Sequence, residues 1–419
     1  MIRRFLVTLL VSALASIGAV ATIAPGRAVR SCATPPTYHP GALGAVAYMH
    51  DHTVRVVDLS SGRDRALATL PRQQNSRPPI VWSTGGRWIA VGGTLVSAAT
   101  GATCRLFGAD ASSVEPRPHS EAWIANTAAG RVMIAGPGQV GRPLLPAGFS
   151  VAGSAFDRSG RRLVAEEANG SLWVFELGTG KRVRVWRSPS PLGRVGPALG
   201  ERWSSDGRWI LFQTDPFRSA SIAADGLPLW AVPATGGRPI EVEHRLLTAA
   251  DFVQPCGRSG RMVISAGFDR YVSAHKRIDL AKPPRWRAQS ISHETRHSWY
   301  AAACSPDGRL VAATVTGNRD EGRFDTAKRS IWLLTSDGSS RKLLVRSGAG
   351  ISVEQPRWSR DGRWILYLQH RARPNPVAAL YLRNVESGQR RGPFGRIKGG
   401  LGYYGYHDWD DEAAWYRGP

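Results

Sequence analysis

Short apolar runs separated by small polar turns organise this chain, and seven of them share one pattern. An aromatic residue, Cys or in one case Asn is followed by a polar turn, the pair Gly-Arg and an apolar run of strand-forming residues. The stretches begin at Trp82 (WSTGGRWIAV), Asn126 (NTAAGRVMIA), Phe156 (FDRSGRRLVA), Trp203 (WSSDGRWILF), Cys256 (CGRSGRMVIS), Cys304 (CSPDGRLVAA) and Trp358 (WSRDGRWILY). Their Gly-Arg arginines, Arg87, Arg131, Arg161, Arg208, Arg261, Arg309 and Arg363, lie 44, 30, 47, 53, 48 and 54 residues apart. A recurrence near 46 residues is the length of a propeller blade rather than of a helical-hairpin repeat. Asp-Gly or Ser-Gly between two β-prone runs favours a tight hairpin, because Gly takes a positive φ without steric cost. Each motif therefore predicts a strand, a turn and a second strand.

A third strand ending in a small polar turn follows most motifs, as at Thr53 (TVRVVDLSSG), Ser171 (SLWVFELGTG), Leu229 (LWAVPATGG), Ser330 (SIWLLTSDG) and Ala379 (ALYLRNVESG). The closing Gly permits the reversal into a fourth strand. Four antiparallel strands make one blade. At the ends of the chain, GAVAYMH from Gly44 matches the second half of the motif and DWDDEAAWYR from Asp408 matches its start. Two incomplete units then combine into one blade, with the C-terminal strand closing the ring beside residues 44–70 and removing exposed sheet edges. The expectation is an all-β chain forming a single β-propeller of eight four-stranded blades. Seven is the next count, because the 30-residue step before Arg161 is tight for a whole unit.

The W-S-x-D-G-R turn with its apolar strand, followed by an IWLL-type strand ending near Gly, resembles the PD40 repeat of TolB-like, WD40-like propellers. The resemblance covers roughly residues 44–417. It implies the fold and leaves the function open, since such propellers serve as binding scaffolds, as gating domains of peptidases and as polysaccharide lyases. In this register Cys256 and Cys304 take the place of Trp203 and Trp358, at equivalent heights on neighbouring inner strands. A Cys256–Cys304 disulfide is expected, since bridging needs Cα atoms within about 7 Å; Cys32–Cys104 is left as the second pair.

Arg3 and Arg4, the apolar run from Phe5 to about Ile17 and the small residues after it have the order of a secretory signal peptide, with Ala21 or Ala28 as cleavage points. The competing reading is an uncleaved anchor, because the run stays weakly apolar to Ala24. The expected division is residues 1–28 as signal peptide or anchor, 29–43 as linker and 44–417 as propeller, secreted or held in the cell envelope. The net charge of +23 favours an anionic partner. Arg supplies 49 of the 55 basic residues and is spread along the chain without a basic run, which argues against nucleic acid.

His293-Glu294-Thr295-Arg296-His297 satisfies H-E-x-x-H, in which two His one helical turn apart hold zinc and the Glu activates water. That chemistry needs a helix, and Pro283-Pro284 upstream with an inner strand starting by about Tyr300 leaves no room for one. The G-x-S-x-G elbow of serine hydrolases is absent from the sequence. The aromatic stretch holding Tyr403, Tyr404, Tyr406 and His407 departs from the repeat and, with Trp299, is the expected recognition surface at an axial face. The resulting expectation is an exported, non-catalytic, monomeric propeller without cofactor that binds a protein, a peptide or an acidic envelope polymer, with membrane contact only through an uncleaved N-terminus. The alternative is a metal-dependent hydrolase or polysaccharide lyase using zinc or manganese on His293, Glu294 and His297.

Overall fold

The computed structural model describes residues 32–71, 79–107, 111–127, 129–189, 202–215, 226–246, 252–267, 276–293, 296–317, 328–372, 376–398 and 413–418. All extended regular structure among them is β-strand, arranged as eight four-stranded antiparallel sheets. The protein is an eight-bladed β-propeller. Blade 1 takes its inner strand from the C-terminus: Ala413–Tyr416 pairs antiparallel with Ala45–His50, Ala45 opposite Tyr416 and Tyr48 opposite Ala413. The other inner strands are Ile80–Trp82, Ala111–Pro116, Val151–Phe156, Arg202–Trp203, Val253–Cys256, Ser298–Cys304 and Ile351–Trp358, for blades 2 to 8 in order.

The motif's residues explain its turn. In blade 5 the Ser204 hydroxyl accepts from the Trp209 amide at 3.0 Å and donates to Asp206 at 2.6 Å, while Asp206 accepts from the Arg208 amide. Gly207 sits at φ 66°, a region where a Cβ is strained. Ser305-Asp307 and Ser359-Asp361 repeat the arrangement. The aromatic at the end of the inner strand packs between blades and reaches across: Trp82, Trp203 and Trp358 donate their indole N–H to the carbonyls of Ala414, Ala155 and Ala303 in the preceding blade, at 2.9–3.0 Å. Where Cys replaces Trp, the inter-blade link is covalent, with Cys256 and Cys304 bridged at a Cα separation of 5.0 Å. Cys32 and Cys104 form the second disulfide.

Blade 3 departs from the sequence expectation. Its inner strand ends at Pro116, and the Gly-Arg pair at Arg131 lies between its second and third strands, Trp123–Thr127 and Val132–Ala135. The true counterpart of the motif turn runs over residues 117–122 and uses His119 at φ 55° instead of Gly. The 30-residue step thus measures two different turns, and the eight-blade count is unaffected. The repeated arginines also divide. Arg261 donates to the Gly308 carbonyl of the next blade at 2.8 Å, but the side chains of Arg208 and Arg309 are 80% and 86% exposed.

Residues 32–43 run against the disc as an extended arm. The Pro35 carbonyl accepts from Arg87, Tyr38 stacks on Trp82 at 6.1 Å, and the Cys32 carbonyl accepts from the Gly138 amide. Antiparallel topology puts the inner-to-second and third-to-outer turns on one face of the disc, and the remaining connections on the other. The first set is short throughout, none longer than the 282–288 turn. The second set varies widely, with connections at 187–201, 214–226, 317–329 and 399–412.

Candidate functional site

Inner strands of non-adjacent blades meet only around the central axis, and a cavity of about 690 Å³ is lined there by residues from blades 1, 2, 3, 4, 6 and 8. Its wall includes Trp82, Pro116, Phe156 and Trp415 near the short-turn face, with Pro118 from the turn of blade 3, as well as Pro79, Ile80 and Ala413 towards the variable face. Three charges line it, Arg357 at the end of the blade 8 strand, Arg417 just after the closing strand, and Glu115 of blade 3. Burial lowers the Arg417 pKa to about 10, and the neighbouring Arg357 guanidinium adds to the shift. Protein crowds Arg417 on most sides while solvent reaches it through the mouth, and among the described residues no carboxylate pairs with it. Its guanidinium lies 5.2 Å from the Trp415 ring centroid. Two cations held near each other beside aromatic walls suit an acidic group with apolar neighbours.

A second hollow of about 750 Å³ lies on the short-turn face and is lined by residues of the turns of blades 3, 4 and 5. Arg162 closes its floor, bonding Asp157 at 3.0 Å and the Gly207 carbonyl at 2.6 Å while stacking on Trp203.

A buried polar cluster joins blades 7 and 8. Glu354 accepts from the Tyr300 hydroxyl and from Arg329, both at 2.8 Å, and its other oxygen lies 2.5 Å from His370 Nε2. All four side chains are shielded from solvent. Burial, first among its causes, holds the Tyr300 phenol well above its ordinary pKa. Bulges with positive φ at Ala301 and Gln355 break the ladders of the two inner strands beside the cluster. Fully enclosed, it acts as a lock between blades.

Of the candidate metal and recognition residues singled out in the sequence, the structure describes His293, His297 and Trp299. His293 packs on the next blade's turn, where a Cβ added to Gly338 would lie 2.6 Å from its Nε2. His297 is exposed at the end of the same connection, and Glu294 lies outside the described residues. Among the described residues no group of three or more His, Cys, Asp or Glu side chains is placed to hold a metal ion. Trp299 is 1% exposed and packs against Trp332, so it belongs to the core instead of a recognition surface. Tyr403, Tyr404, Tyr406 and His407 lie outside the described residues. Sequence reasoning missed Arg357 and Arg417. The available signal was their place at the ends of two inner strands that ring closure makes neighbours.

Fold and cavity define the class: an eight-bladed propeller whose ring is closed by its C-terminal strand, with a cationic axial cavity. Among solved structures, the chain is similar to dihydro-heme d1 dehydrogenase NirN in complex with DHE, at 14% identity over 87% of this chain and 75% of that one, with a TM-score of 0.53. It is also similar to a TolB protein from Agrobacterium tumefaciens (15% identity, 66% and 94% of the two chains, TM-score 0.40) and to an oligogalacturonate lyase in complex with manganese (13%, 75% and 84%, TM-score 0.46). At these identities the likeness concerns the fold. Neither a scan against protein-family models nor a search of curated proteins gives a match. No helix among the described residues is long and apolar enough to cross a membrane.

Proposed function

We propose that this chain is an exported, non-catalytic binding propeller that recognises an acidic partner, a peptide or an envelope polymer, with an acidic group entering the axial cavity from the short-turn face. The observation that carries the reading is the pair Arg357 and Arg417 on the cavity wall. The Arg357 guanidinium is among the causes that disfavour the Arg417 charge, and an anion beside Arg417 relieves that repulsion. Two disulfides are in keeping with an oxidising compartment.

The test is calorimetric titration of the purified protein with poly-L-glutamate and, as control, neutral dextran. Binding of the acidic polymer alone, weakened about tenfold or more in the Arg357→Ala, Arg417→Ala double variant, supports the reading. Equal affinity in the double variant would place the acidic site elsewhere.

A further inference from the structure

In a repeat protein, what all the blades share serves the ring, and departures from the repeat that converge on one place call for another explanation. Three of them line the hollow between the turns of blades 3, 4 and 5. The first is His119. In the other six inner-to-second turns the left-handed residue is Gly, at φ 66° to 75°, whereas blade 3 holds an exposed His at φ 55°. A side chain stays in that region only where its surroundings hold it there.

The second and third departures are coupled. Asp157 stands where blades 2, 5, 7 and 8 have Ser, and Arg162 stands where every other blade has an apolar residue. Asp157 is 3% exposed and accepts from the Arg161 and Arg162 amides, from the Ser159 hydroxyl and from Arg162 Nε. Its carboxylate fastens a guanidinium beneath the hollow, and the bond from Arg162 Nη2 to the Gly207 carbonyl fixes it from the other side. The Arg162 side chain is still 31% exposed, and its Nη1 has no hydrogen-bond partner among the described residues. Joining two turns does not require this pair: in blade 6 Arg261 reaches the Gly308 carbonyl while the position after it stays apolar, as Met262.

Arg158 and Arg161 stand exposed on the wall above this floor, and among the described residues neither side chain makes a hydrogen bond or ion pair. The third-to-outer turn of blade 4 adds Glu176 and Thr179 to the lining. Glu176 accepts from the Thr179 hydroxyl at 3.0 Å and pairs with no cation among the described residues.

We infer that this hollow binds a hydroxylated phosphate monoester, the class of sugar and polyol phosphates. Three guanidinium groups and the His119 imidazole, carried by two different turns, suit a tetrahedral dianion whose oxygens accept from several directions. A carboxylate offers two oxygens in one plane, which a single guanidinium fork satisfies. The Glu176 carboxylate accepts from ligand hydroxyls and repels a second phosphate. The site is separate from the axial cavity and stands or falls independently of the proposed function.

Calorimetric titration of the purified protein with glucose 6-phosphate tests this, alongside inorganic phosphate, glucose, glucuronate and the diester glycerophosphoglycerol. Glucose 6-phosphate is expected to bind more tightly than inorganic phosphate, and both more tightly than the other three. Arg158→Ala with Arg161→Ala should weaken that binding about tenfold or more. Arg309→Ala with Arg363→Ala removes the same charge from the turns of blades 7 and 8 and should change it less than about twofold, as should Arg417→Ala. Glu176→Ala should narrow the preference for glucose 6-phosphate over inorganic phosphate. Arg158 and Arg161 hold no other group in place, so thermal midpoints should match the parent. No saturable binding below about 5 mM would overturn the inference. So would equal affinity for glucuronate or for the diester, equal losses in the two double variants, or a preference unmoved by Glu176→Ala.

Discussion

Blades 2 and 8 are copies of one repeat and are held together by opposite means. Blade 8 has strands of eight or nine residues, Ile351–Trp358, Trp364–Arg371, Val377–Asn384 and Arg390–Lys398, and carries Glu354 and His370 of the buried cluster. Blade 2 has strands of two to four residues, Ile80–Trp82, Trp88–Val91, Thr94–Ser97 and Thr103–Cys104. What its ladder lacks is supplied from outside: the arm lays Tyr38 on Trp82 and a disulfide joins Cys32 to the two-residue outer strand. The repeat fixes topology, while the strength of each blade comes from whatever lies beside it.

Removing Glu354 gives the largest expected effect. Glu354→Ala removes the carboxylate buried against Arg329, and breaking such a pair costs roughly 3–5 kcal/mol. The shift in the urea unfolding midpoint measures it. Glu354→Gln, which keeps an acceptor in place, is expected to lose less. A midpoint unmoved by Glu354→Ala would show that blade 8 depends on its long ladder alone.

Cys32→Ser with Cys104→Ser is expected to cost about 2–4 kcal/mol, the usual range for a bridge closing a long loop. Hydrogen exchange should then show opening concentrated in blade 2 and the arm, with blade 8 still protected. Uniform loss of protection around the ring would contradict a division of labour between blades.

Asp279 in blade 6 offers a smaller, pH-dependent contrast. Burial, opposed by Arg277 and reinforced by Glu243, raises its carboxyl from 3.8 to about 6. The folded protein therefore keeps a proton that the unfolded chain releases, and stability falls as pH rises from about 4 to 6. Asp279→Asn is expected to be more stable than the parent by up to roughly 2 kcal/mol at pH 7 and equal to it below pH 4, as read from unfolding midpoints across that range. A difference independent of pH would assign the change to lost hydrogen bonds.

Smallest for stability is Arg417→Ala, expected within about 0.5 kcal/mol of the parent because solvent already reaches the side chain. Its thermal midpoint should be unchanged while acidic-polymer binding drops, separating the cavity wall from the scaffold.

Much of this scaffold was legible in the sequence, since Ser-x-Asp-Gly-Arg specifies its turn through local hydrogen bonds and each Trp marks an inter-blade contact. The same logic identified Ala413–Tyr416 as the closing strand and paired Cys256 with Cys304. Arg131 misled because Gly130, at φ 71°, makes a like-looking turn one strand later, while the motif turn of blade 3 hides in Arg117-Pro118-His119. The cavity was not legible. Arg357 and Arg417 are brought together by ring closure, and which strand ends reach the axis depends on strand twist, which alternation of polar and apolar residues does not encode. Trp299 went into the core for a related reason, its residue type being informative only once the neighbouring blade is in place.

Closure by Ala413–Tyr416 also sets an order of events. Blade 1 is incomplete until Ala413–Tyr416 has been made, so the sheets that precede it form an open row with a waiting edge at Ala45–His50. A chain that lacks Ala413–Tyr416 keeps nearly all its mass and loses its clasp.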